Sequence, residues 1–148
     1  MKISTKGRYG LRILMDLALH QSEKPRLIRD IAKSQQISEK YISRLVIALR
    51  KGGMIRSVRG VNGGFHLAMK PEDITLLDVI EVMEGPLSIV DCVFTPKSCD
   101  RSGNCAAREI WSKLNSDIRA LMSGITLADI LAAYERHNAS GGDMDYCI

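Results

Sequence analysis

A mainly α-helical chain carrying one small β-hairpin is what three features of this 148-residue sequence predict. Apolar residues recur at helical spacing through most of its length, the primary signal of amphipathic helices. Two short runs, Met54-Ile55-Arg56-Ser57-Val58 and Gly64-Phe65-His66-Leu67-Ala68, flank a glycine-rich tip from Arg59 to Gly64, the composition of a hairpin. At Pro71 the pattern changes register, and helix starts and apolar stripes follow.

The first helix is predicted from Thr5 to His20, where Tyr9, Ile13, Leu14, Leu17 and Ala18 share a face. After a break at Ser22 to Pro25, the stretch from Leu27 to Lys33 reads as a short second helix closed by Ser34-Gln35-Gln36. Ser38 supplies an N-cap for a third, in which Ile42, Leu45, Val46 and Leu49 fall at i, i+3, i+4 and i+7 before Gly52-Gly53 stops it. Two short helices joined by a tight turn form a helix-turn-helix. With the hairpin next in order, residues 1-70 read as a winged helix-turn-helix domain. Beyond it, Thr75 with Asp78 and Thr126 with Asp129 repeat one capping chemistry at two helix starts. Residues 71-91 are assigned to a connecting helix, which Gly85-Pro86 ends, and a linker, and 92-105 to a cysteine loop. Residues 106-138 form C-terminal dimerisation helices, and 139-148 a polar tail expected to be flexible.

Charge divides the chain at the same place. Through Lys70 there are fifteen Lys or Arg against four Asp or Glu, a net +11; beyond it six stand against thirteen, a net −7. So large a surplus over seventy residues points to a polyanionic partner, with nucleic acid the leading class. The third helix turns Lys40, Ser43, Arg44, Ile47 and Lys51 away from its apolar side. Ser38, Lys40, Tyr41, Ser43 and Arg44 lie near its N-terminal end, from which such helices reach base edges. Arg50, Lys51, Arg56 and Arg59 carry the charge toward the hairpin tip, where Gly60 allows close approach to a groove or phosphate.

Met1-Lys2-Ile3-Ser4-Thr5-Lys6-Gly7-Arg8-Tyr9-Gly10, together with Ser57-Val58-Arg59-Gly60 and Gly63-Gly64-Phe65, resembles the IscR-like family of winged-helix transcription regulators. The resemblance runs from Met1 to about Tyr134. It implies a homodimer that binds palindromic double-stranded operator DNA through the third helix and wing, acting as a repressor, with dimer contacts on the long C-terminal helix. The apolar face of Ile110, Trp111, Leu114, Ile118, Leu121 and Met122 asks independently for a covering partner. Two positions depart from the family pattern: Phe65, where tyrosine is common, and Ser43, where some members carry a glutamate that discriminates operator types.

Cys92, Cys99 and Cys105 have six and five residues between them in a polar loop, a spacing flexible enough to bring three thiolates to one metal centre. Structural zinc with a fourth ligand, or unligated thiols that sense oxidants directly, fits the same spacing. The resemblance implies an iron-sulfur cluster on these three cysteines, [2Fe-2S] first and [4Fe-4S] as the alternative, reading iron-sulfur, redox or nitric oxide status. The fourth ligand stays open: Arg108 stands where one branch of the family has histidine, and Arg8 where others recruit a partner side chain. Of the remaining donors, His20, His66, His137 and Cys147 are candidates without local support.

No apolar run reaches membrane-spanning length, and the basic N-terminus lacks the apolar core of a signal peptide. A cytoplasmic location with reduced thiols is therefore expected. An enzyme with a cysteine nucleophile is the weakest reading. No phosphate-binding loop, dinucleotide fingerprint, nucleophile elbow or metalloprotease motif appears.

Overall fold

The computed structural model describes residues 2–21 and 24–140. Its elements follow the order α1 (Thr5–Leu19), α2 (Ile28–Gln35), α3 (Glu39–Lys51), β1 (Ile55–Val58), β2 (Gly64–Leu67), α4 (Leu76–Glu84), α5 (Asp91–Phe94), α6 (Ala106–Ser123) and α7 (Leu127–Ala139). The expected winged helix-turn-helix with additional C-terminal helices is thus present.

Local chemistry sets the boundaries. Ser4 caps α1, its hydroxyl oxygen accepting the Lys6 N–H at 3.1 Å. The helix-turn-helix bend is made at Gln36, whose left-handed conformation (φ 54°, ψ 41°) stops α2 and lets α3 start two residues later at the Ser38 cap. β1 and β2 pair antiparallel with Ile55 opposite Leu67 and Val58 opposite Gly64. Ile55 and Leu67 are buried at the root of the hairpin, while Arg56, Ser57 and Val58 on β1 are exposed. Both predicted capping boxes form: Thr75 accepts the Asp78 N–H at 3.1 Å, and Thr126 accepts that of Asp129 at 3.2 Å.

The main core joins the two sequence halves. Ile13, Leu14, Ile31, Ile42 and Leu49 from the first three helices are fully buried together with Ile74, Val79 and Leu127 from beyond the hairpin. Two glycines allow α4 to lie close on α1. A Cβ on Gly7 would sit 2.5 Å from Glu84 Oε1, and one on Gly10 2.8 Å from Met83 Cγ. The Ser4 N–H donates to Glu84 Oε1 at 2.8 Å, closing the same crossing.

The starts of α4 and α7 are stitched side by side by an antiparallel bridge between Thr75 and Thr126. Leu76 N–H donates to Ile125 O and Leu127 N–H to Ile74 O, each at 2.8 Å. The chain between Thr75 and Thr126, α4 through α6, therefore leaves and returns at one point. Its inner side forms a second, smaller core of Leu77, Ile80, Leu87 and Met122, against which Ile118 packs. Arg119 on α6 forms an ion pair with Glu81 on α4, and Asn115 Oδ1 accepts the Ile89 N–H at 3.0 Å.

Two features differ from the sequence expectations. The segment after Gly85-Pro86 is not wholly irregular: α5 and two 3-10 turns, Pro96–Ser98 and Ser102–Asn104, shape it. Such short turns carry no periodicity and bury no side chain fully, so no pattern announces them. The apolar stripe of α6 also divides. Ile118 and Met122 are covered by this chain's own α4 and Leu87, whereas Ile110, Trp111, Leu114 and Leu121 are exposed. The tail from residue 141 onward, with Cys147, lies outside the described residues.

Candidate nucleic-acid interface and cysteine loop

On α3 the buried residues are Ile42, Leu45, Val46 and Leu49, and Lys40, Arg44, Ile47, Arg50 and Lys51 are exposed. Three predicted contact residues have partners within the fold. Ser38 uses its hydroxyl oxygen as the N-cap, accepting the Tyr41 N–H at 3.3 Å. Ser43 donates its hydroxyl to Glu39 O one turn earlier, at 2.7 Å. Tyr41 is half-buried, its ring edge-on to Tyr9 with centroids 5.9 Å apart. Arg12 lies over the Tyr9 ring, 5.3 Å from its centre, and donates to Gln35 O at 2.6 Å. A guanidinium on the last carbonyls of α2 stabilises that helix end and fixes the turn leading into α3.

β1 packs against α3 and β2 against α1, which seats the hairpin on the helical body. Arg56 and Arg59 are exposed along the hairpin, and Val61 at the tip is fully exposed. The tip closes through Gly63 N–H to Gly60 O at 2.9 Å, with Gly60 at φ +110°, a conformation open to glycine at no steric cost. A Cβ on Gly63 would lie 2.5 Å from Val58 O, so the turn also requires that hydrogen for space.

One buried carboxylate, which periodicity alone does not reveal, ties these elements together. Asp16 on α1 is 1% exposed. It accepts from Arg26 Nε at 2.9 Å, from Gln35 Nε2 at 3.2 Å and from the Ser34 hydroxyl. Arg26 in turn pairs its backbone with Phe65 on β2, donating N–H to Phe65 O and accepting the Phe65 N–H, both at 2.9 Å. The only hint in sequence is a lone aspartate on the apolar side of the first helix.

The three loop cysteines are free thiols: Cys92 on α5 and Cys105 at the start of α6 are half-buried, and Cys99 is exposed. Among the described residues, no three His, Cys, Asp or Glu side chains converge into a set able to hold a metal. Arg108 donates from Nε to Cys92 O at 3.0 Å and from a terminal nitrogen to Ser102 O at 3.5 Å, pinning two limbs of the loop with a group that cannot ligate. Within the chain the loop therefore supplies three thiols but, among the described residues, not a complete ligand set. His66 is half-buried on β2, and His20 and His137 are exposed, each on an element other than the loop.

Among the described residues no helix is long and apolar enough to cross a membrane. Residues 3–133 match the Rrf2 family model, described as an iron-dependent transcriptional regulator. The chain is 41% identical to Protein rrf2 of Nitratidesulfovibrio vulgaris over 131 residues, covering 88% of this chain and 87% of that protein. It is 40% identical to the HTH-type transcriptional regulator CymR of Bacillus subtilis over 134 residues, covering 90% and 91%. The solved structure of that protein, described as the global cysteine regulator of B. subtilis, superposes with a TM-score of 0.74, covering 90% of this chain and 98% of that one. The T. potens IscR structure matches with a TM-score of 0.74 at 36% identity, covering 99% and 95%. These relatives are regulators and not enzymes. By fold, by its helix-turn-helix and wing, and by identity along nearly its whole length, this chain belongs to the Rrf2 family of DNA-binding transcriptional regulators.

Proposed function

We propose that the protein is a homodimeric repressor that binds palindromic operators and changes its affinity through the state of its three loop thiols. In this reading residues 1-70 contact DNA, 71-91 connect, 92-105 sense and 106-138 dimerise. The observation that carries it is that Lys40, Arg44, Ile47 and Lys51 of α3 and Arg56 and Arg59 of the hairpin packed against it are all exposed. They present five cations, suiting a helix in the major groove and a wing on the neighbouring phosphates or minor groove. Ile110, Trp111, Leu114 and Leu121 supply the dimer face, with Ile118 contributing from its inner edge. Two-fold pairing of α6 would then match the two halves of a palindrome. A regulator of this kind acts where the DNA is, and the cytoplasm is the compartment this reading assigns to it.

Fluorescence anisotropy with a palindromic duplex tests the DNA reading. Binding should weaken steeply with salt, at about 0.9 log units of affinity per log unit of salt for each phosphate neutralised. A salt-independent interaction would remove the interface proposed here.

For the sensing loop, the first reading is an iron-sulfur cluster on Cys92, Cys99 and Cys105, supported by the family's iron dependence and by the likeness to IscR. It requires the loop to close further and a fourth donor to arrive. A second reading, in which the thiols respond directly to oxidants, is favoured by Arg108 bracing the loop. Its support also includes the likeness to a cysteine regulator. Anaerobic purification separates the two. Iron and visible absorption that vanish in each of Cys92→Ala, Cys99→Ala and Cys105→Ala favour the cluster. Colourless, iron-free protein whose operator affinity falls on peroxide treatment favours the thiols. Operator affinity indifferent to both leaves the loop a structural element.

A further inference from the structure

We infer that Asp16 and Arg26 are positioning residues for DNA recognition: they clamp the wing at a fixed angle to the helix-turn-helix, so Arg59 acts only while this clamp is closed. The inference rests on the proposed wing contact and goes beyond it by naming what holds the wing in place.

The hairpin is secured to the body at two levels. At its root, Ile55 and Leu67 face the core. Two residues further out, Phe65 is hydrogen-bonded through its backbone to Arg26, which serves as a one-residue third strand. A hairpin held only at the root could swing about that line; the second attachment fixes its tilt. The attachment is rigid because the Arg26 side chain runs inward to Asp16, a carboxylate withdrawn from water and therefore dependent on its partners. Besides His20 at 3.9 Å, the other partners of Asp16 are Ser34 and Gln35, the last residues of α2 before the Gln36 bend that aims α3. One carboxylate thus references both DNA-facing elements to α1.

Gly64 makes the same attachment possible from the wing side. At φ +151° it adopts a conformation that side-chain-bearing residues rarely take, and a Cβ there would lie 2.7 Å from Arg26 O. Replacing Gly64 should therefore prise Phe65 off Arg26 without touching the buried ion pair. Two independent variants, Arg26→Gln and Gly64→Ala, consequently open one clamp from opposite ends.

A double-mutant cycle on operator affinity tests the clamp, with each variant shown to be folded by circular dichroism and thermal melting. In the parent protein, Arg59→Ala should weaken binding by about 5- to 150-fold, the range for a lost base or phosphate contact. In either the Arg26→Gln or the Gly64→Ala background, that loss should shrink to within about twofold, because an unclamped wing no longer delivers Arg59 to DNA. General destabilisation would scale affinity for all DNA alike and leave the Arg59 loss unchanged. An Arg59→Ala loss that stays whole in both backgrounds overturns the clamp while the wing contact stands; Arg26 touching DNA itself would give this additive result. An Arg59→Ala variant that binds like the parent overturns the wing contact, and the clamp with it.

Discussion

Replacing Glu81 by glutamine tests how the α6 excursion is fastened to the DNA-binding body. Glu81 receives Arg119 of α6 through both guanidinium nitrogens and also accepts the Leu87 N–H at 3.0 Å. The Arg119 hydrogen bond holds its carboxyl below the usual 4.5; burial opposes this, and the Leu87 N–H and the charge of Arg119 add to the lowering. Glutamine keeps an acceptor for Leu87 and removes the charge. Because Arg119 and Glu81 remain 37% and 28% exposed, the guanidinium set free can be solvated, and the 3–5 kcal/mol penalty of stranding a buried charge does not apply. A charge-assisted hydrogen bond discounted for that exposure leaves about 1–2 kcal/mol. In a domain of this size that is a melting shift of about 3–6 °C.

Urea unfolding at constant protein concentration, repeated from pH 7 to pH 3, is the assay. A carboxyl whose folded value is lowered stabilises the fold fully above its unfolded value and loses that contribution as pH falls through the folded one. Parent and Glu81→Gln should therefore differ by a constant amount at neutral pH and converge below about pH 4, under the ordinary carboxylate value. Equal stability at pH 7, or a difference that persists unchanged to pH 3, would refute the reasoning.

Other consequences are as direct. Leu114→Asp places a charge in the exposed apolar face of α6 and should convert dimer to monomer by sedimentation, with helical content kept; a tight dimer would remove α6 from the interface. Gly52→Ala puts a methyl 2.6 Å from Cγ2 of Val82, a β-branched side chain with little freedom to yield, and should cost about 1–3 kcal/mol in thermal or urea unfolding. Arg108→Met removes both carbonyl contacts across the cysteine loop, so hydrogen exchange and limited proteolysis between residues 92 and 105 should quicken while the wing is unaffected.

The winged helix-turn-helix was legible because each element advertises itself locally: the Ser38 cap, the i, i+3, i+4, i+7 stripe of α3 and the glycines of the hairpin all appear where the sequence places them. Both Thr-Asp boxes were equally plain. Interactions between elements were not. Nothing in periodicity says that Arg26, outside any run, pairs with Phe65, or that Gly7 and Gly10 exist to admit α4. The exposed cations of α3 could be read from helical phase, yet the commitments of Ser43 and Tyr41 to neighbours within the fold could not, since phase gives direction and not partners. The α6 stripe was visible as one surface, and only tertiary packing separates the part its own chain covers from the part left open.

The Thr75–Thr126 bridge has a consequence for tolerance to change. It brings together the two ends of a long excursion, so the entropy of closing that loop is already met by contacts that do not depend on what the loop contains. Closure entropy grows only logarithmically with length, and even doubling a flexible segment costs about 0.6 kcal/mol. Residues can therefore be inserted or lost around Cys99 with little effect on α1 to α3. The cysteine segment is free to be rewritten while the root of the excursion, and the winged helix-turn-helix beyond it, stay as they are.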